Sequence, residues 1–208
     1  MNREELLKAG KPILFNTEMV KAILEGRKSC TRRVIKLDLG LADTDENDNS
    51  YLYVPNEYGD YHNAKDLCRY KVGDILYVRE TWCYGSDTAE ILFEPEPRAY
   101  DILYKADYKY LDKDIVKWKP SIHMPKKLAR IFLKVTDVRV ERLQDIDKLW
   151  SNYDKEGMRN PETENISIAM QEKFIDVWNS TIRKQDLDKY EWEANPWVWV
   201  IEFLKMDD

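Results

Sequence analysis

The residues best suited to chemistry lie in "GRKSCTRRVIK", residues 26–36. Arg27, Lys28, Arg32, Arg33 and Lys36 crowd positive charge into this stretch without a single acid, although the whole chain carries a formal net charge of −6. Lys28 in a turn and Thr31 opening the following strand can converge on one pocket. Side chains alternate along a strand, so Thr31 and Arg33 share a face and Arg32 points the other way. On this reading Lys28, Thr31 and Arg33 line the pocket and Arg32 is structural. A lysine beside a hydroxyl suits a proton acceptor or oxyanion partner for an attacking nucleophile.

A carboxylate to complete such a site is Glu156 in "YDKEGM", in the last turn of a helix just before Gly157. The negative end of the helix macrodipole is expected to raise its pKa, which suits a general acid or base. "ILYVRETW" puts Arg79 and Glu80 on opposite faces of a strand end, so one can enter a pocket while the other forms an ion pair. "WKPSIHMPKK" gathers Trp118, Lys119, His123 and Lys126 in a stiff cationic loop. Aromatic rings beside lysines permit base stacking together with phosphate contact, and His123 is a candidate proton carrier. Residues 115–136 contain no acid. The two stretches carry +5 and +6 in a chain of net charge −6, a polarisation that favours a focused site over an extended nucleic-acid coat.

Other chemistries are poorly served. The chain has three cysteines in no CxxC spacing and only two histidines, His62 and His123, so neither a disulfide framework nor a metal site is expected. GxGxxG, Walker and GxSxG patterns are absent, and no cofactor is expected. No apolar run has the length of a membrane span, and "MNREELLKAG" lacks the apolar segment of a signal peptide. A cytoplasmic protein without a membrane partner is the expectation.

The elements that must position these residues follow from periodicity. "KPILF" reads as a short strand and "NTEMVKAILEG" as a helix capped by Asn16 or Thr17 and closed by Gly26. A β-type segment follows at 29–36. Residues 37–70 form an acidic excursion with a hairpin whose one arm is "YLYVP". "KVGDILYVRETW" is a turn feeding a strand, and 100–105 is another. In "LARIFLKVTDVRVERL" the inward face changes parity near Thr136–Asp137, which implies a bulge or break. Ile146, Leu149, Trp150 and Tyr153 have helical spacing up to Gly157, and a second helix spans 168–183. In "PWVWVIEFLK" Trp197, Trp199, Ile201 and Phe203 share one face of a final strand. These elements predict an α+β fold: one domain over 1–208, a small mixed β-barrel decorated by helices.

"ILEGRKSCTRR", "YKVGDILYVRETW", "WKPSIHMP", "ARIFLKVTDVRVERLQDI" and "WEANPWVWVIEF", in this order, resemble an ASCH-domain protein of the PUA-like superfamily. The likeness is to the larger type of phages and prophages, and it runs from about Lys11 to Phe203. It implies a β-barrel with a cleft for RNA or nucleobase derivatives, with long insertions at about 37–70 and 83–120. A small bacterial ASCH protein is an N4-acetylcytidine amidohydrolase using a lysine, a threonine and a glutamate, which fall here on Lys28, Thr31 and Glu156, with Arg33 matching a following arginine. The resemblance implies a candidate amidohydrolase on a modified nucleoside or RNA, with a non-catalytic RNA or modified-base binding module as the alternative.

Overall fold

The structure is a computed structural model that describes residues 1–36, 43–45, 48–55, 60–85, 101–108, 116–159 and 166–206. Along the chain come helix α1 (Arg3–Ala9), strand β1 (Lys11–Leu14), helix α2 (Thr17–Leu24), and strands β2 (Cys30–Val34), β3 (Asp43–Asp45), β4 (Asp48–Pro55) and β5 (Tyr61–Asn63). Helix α3 (Ala64–Leu67) and strands β6 (Ile75–Arg79), β7 (Trp82–Tyr84), β8 (Ile102–Tyr104) and β9 (Phe132–Arg142) follow. Helices α4 (Ser151–Lys155), α5 (Ile166–Thr181) and α6 (Leu187–Tyr190) precede the last strand, β10 (Trp197–Met206).

The chain folds into two compact units, each built from separated segments. The first comprises Met1–Gly26, Asp74–Lys134 and Lys205–Asp208. In it β1 lies parallel to β6, and β6 is antiparallel to the beginning of β9. Leu6 of α1 packs with Ile75, Tyr77, Trp82, Met124 and Phe132 in its core. Asn16 caps α2 by accepting a hydrogen bond from the Met19 amide at 2.9 Å. Gly26 ends that helix at φ 71°, a left-handed conformation that glycine adopts without penalty.

The second unit comprises Arg27–Gly73 and Val135–Leu204. Here β10 lies between β9 and β2, and β3, β4 and β5 form a separate sheet. The "YLYVP" arm falls in β4. Helices α4 and α5 bury Tyr153, Met170, Phe174 and Trp178 against Cys30, Val198 and Val200 of the sheet. The other face carries Ile35, Val140 and Trp197 with Leu52, Val54 and Ala64. Strand β10 is therefore buried on both faces as far as Phe203, with Trp199 and Glu202 half-buried, rather than on one face alone.

Three further expectations change. The fold is mixed α and β with several sheets, but no closed barrel occurs among the described residues. Strand β9 runs unbroken through Thr136–Asp137 while its burial shifts from Leu133 and Val135 to Val138 and Val140. The face changes without a break in the element. The helix expected up to Gly157 is two pieces, a 3₁₀ segment over Leu143–Lys148 and then α4. Extended Leu149 (φ −144°) separates them, so Ile146 and Tyr153 are buried whereas Leu149 and Trp150 are exposed. Helical spacing holds only while the turn per residue stays constant. The irregular segment that the sequence predicts over 84–97, with "FEPEPR" at its end, lies outside the described residues from 86 onward.

Candidate functional site

Glu156 is placed by the way its helix stops. It is the C-cap residue of α4, and Gly157 follows at φ 79°. The Gly157 amide donates to the Asp154 carbonyl at 2.8 Å and the Met158 amide to the Tyr153 carbonyl at 3.1 Å. This is the Schellman closure, with Met158 and Tyr153 packed in the same apolar cluster. Arg27 fastens the turn by donating to the Gly157 carbonyl at 2.9 Å.

Extended backbone begins two residues before β2. Lys28 forms a β-bridge with Glu156, and the Ser29 amide donates to the Lys155 carbonyl at 2.8 Å. The extended run thus includes Lys28, and alternation puts Lys28, Cys30 and Arg32 on one face. Above that face Lys28 Nζ donates to Glu156 Oε2 at 2.6 Å and to the Glu156 carbonyl at 3.0 Å. Arg32 Nη1 donates to Glu156 Oε1 at 2.9 Å, and Arg32 Nη2 reaches Glu141 Oε2 at 3.3 Å. Arg32, assigned a structural role facing away from the pocket, is the second cation on the carboxylate.

Thr31 and Arg33 occupy the opposite face of β2, in register with Ile201 and Trp199 of β10. Among the described residues, the Thr31 hydroxyl makes no hydrogen bond to Lys28 or Glu156. The structure therefore brings Lys28 and Glu156 together, adds Arg32, and leaves Thr31 across the strand. Five polar or charged residues are buried among the described ones: Lys28, Thr31, Arg32, Glu80 and Glu156. Three of the five, Lys28, Arg32 and Glu156, meet in this one place, a concentration that ordinary core packing disfavours.

Burial pushes the Glu156 carboxyl up, but the charges and hydrogen bonds of Lys28 and Arg32 outweigh it, and its pKa falls below the ordinary value of 4.5. The expected rise from the helix end is reversed because two guests of opposite charge sit closer than the helix dipole acts. Between them, Cys30 has its thiol pushed up to about 12, first by burial and then by Glu156. It is a packing residue and a poor nucleophile. Burial lowers the pKa of the Arg33 guanidinium.

The remaining candidates lie in the first unit. Glu80 meets Arg130 through both oxygens, at 2.9 and 3.0 Å, and Arg130 also holds Asp107 at 2.7 Å. Burial nonetheless raises the Glu80 pKa despite Arg130. Of the Arg79–Glu80 pair, Glu80 thus makes the ion pair, while Arg79 donates through Nη2 to the Ile122 carbonyl. Lys119 stands 5.1 and 4.5 Å from the ring centroids of Trp82 and Tyr84. Trp118, half-buried, packs beside the Cys83, Leu103 and Val116 cluster. Lys126 donates to the Gly10 carbonyl at 3.1 Å and covers the Tyr77 ring, and His123 ends an exposed 3₁₀ turn.

Among the described residues no group of His, Cys, Asp and Glu is arranged to hold a metal ion, and no helix is long and apolar enough to cross a membrane. No family model, curated protein or solved structure matches the chain.

Proposed function

We propose that the chain is an ASCH-type, PUA-like pocket protein of the larger phage and prophage kind, acting in the cytoplasm on a modified nucleoside or RNA. Its candidate activity is hydrolysis of an N4-acylated cytidine. One observation supports this reading above the others: Lys28 and Glu156, 128 positions apart in sequence, form a buried ion pair at 2.6 Å. Those are two of the three residue types that the resemblance requires.

In the proposed reaction water adds to the acyl carbon, the bond to the exocyclic nitrogen breaks, and that nitrogen takes a proton as cytidine leaves. Lys28 stabilises the developing oxyanion, and Glu156 takes the proton from the attacking group and returns it to the amine. Thr31, on the opposite face of β2, takes no part in this step. Mass spectrometry tests the assignment by following cytidine release from N4-acetylcytidine. Lys28→Ala and Glu156→Gln are expected to lower the rate by roughly 10²–10⁴-fold. Wild-type protein that releases no cytidine would remove that substrate, and variants that keep the wild-type rate would remove the residues.

A second reading has its own observation. Both Glu156 oxygens are occupied by cations, which makes the carboxylate a weak base until one partner is drawn away. A non-catalytic RNA or modified-base binding module accords with that. It predicts binding of the same ligands with no product formed.

A further inference from the structure

A second feature of the same unit lies where the end of β2 meets the end of α5. Arg32, Arg33 and Lys36 from the strand side and Trp178, Ile182 and Arg183 from the helix side line a recess of about 270 Å³. Four cations contribute to its wall and no carboxylate does. Trp178 Nε1 donates to the Tyr190 carbonyl at 2.8 Å, so this tryptophan presents carbon surface to the recess, beside Ile182. A small volume with a cationic rim and an apolar wall accommodates a compact anion attached to a sugar or ring.

We propose that this recess is a phosphate site, holding the phosphate of a nucleotide or of an RNA chain. The cations differ in how firmly they are held. Arg32 is fixed by Glu156 and Glu141 and keeps a buried Nε without a hydrogen-bond partner, an unsatisfied donor of the kind that marks a polar site. Lys36 is 59% exposed and reaches Asp186 only at 3.6 Å, a loose pair that an incoming dianion can replace. Arg183 is exposed at the rim.

The carbonyls at the end of α5 oppose an anion, as any helix C-terminus does. Two of them are already answered: the Ile182 amide donates to the Asn179 carbonyl at 3.1 Å, and the Thr181 hydroxyl to the Trp178 carbonyl at 2.7 Å. The residual dipole therefore faces the positive side chains of Arg32, Lys36 and Arg183. A guanidinium and phosphate pair through parallel charge-assisted hydrogen bonds, which are the stronger kind.

Calorimetric titration of the full chain with inorganic phosphate, cytidine, cytidine 5′-monophosphate and a short single-stranded RNA tests the site. Both phosphate-bearing nucleic ligands and inorganic phosphate should bind, the monophosphate more tightly than cytidine by about tenfold or more. The double variant Lys36→Gln/Arg183→Gln should lose about tenfold in phosphate binding with an unchanged thermal midpoint, since both side chains are exposed. Removing the 5′-phosphate of the RNA separates the two sources: lost affinity points to a terminal phosphate, retained affinity to the chain backbone. Equal binding of cytidine and its monophosphate, or a double variant that binds phosphate like the wild type, would overturn the proposal. Neither substituted residue touches Glu156, so this result stands apart from any result on cytidine release.

Discussion

At the scale of single residues, the chemistry turns on how Glu156 stays ionised. Its carboxylate is buried, yet two cations hold its pKa below 4.5. A carboxyl with a lower pKa in the folded than in the unfolded chain adds stability that is fully present above the unfolded value. That stability is lost as pH falls through the folded value. Glu156→Gln should therefore cost about 3–5 kcal/mol at neutral pH, because Lys28 and Arg32 lose a buried counter-charge and Arg32 keeps only Glu141 at 3.3 Å. The difference from wild type should narrow as pH falls below about 4. Chemical denaturation at neutral and acid pH measures both. A gap that widens in acid would contradict the assigned charge state.

At the scale of elements, the site depends on a helix stop and a strand start. Gly157 at φ 79° turns the chain after Glu156. Gly157→Ala should cost about 1–2 kcal/mol, the penalty of a Cβ in the left-handed region. Gly157→Asn should cost less, since asparagine tolerates that region, and denaturation midpoints of the two variants give the order. Both glycine stops, Gly26 and Gly157, were legible in the sequence, as were Asn16 as a cap and the parity change along β9. The membership of Arg32 was not. Reading Lys28 as part of the turn places Thr31 and Arg33 in the pocket, whereas a bridge at Lys28 leading into β2 aligns Lys28, Cys30 and Arg32. One residue of extension decides which set faces Glu156. Local pattern also carries no information about a pairing 128 positions away. The open sheet was equally hidden, because strand count and alternation do not state which edges pair.

At the scale of the whole molecule, a chain of net charge −6 has two acid-free cationic stretches, and Lys28, Arg32, Lys126 and Arg130 within them are bound internally. RNA affinity should then rest on few phosphate contacts. It should fall with salt along a shallow slope, and Arg33→Ala should reduce that slope by about one. Filter binding across a salt series provides the measurement, and a steep slope would indicate a broad cationic surface instead. The central claim is the reactivity of the Lys28–Glu156 pair. Its most direct test is the release of cytidine from N4-acetylcytidine, read by mass spectrometry for wild type, Lys28→Ala and Glu156→Gln. The account predicts release by the wild type and a roughly 10²–10⁴-fold loss in each variant; equal rates in all three proteins would contradict it.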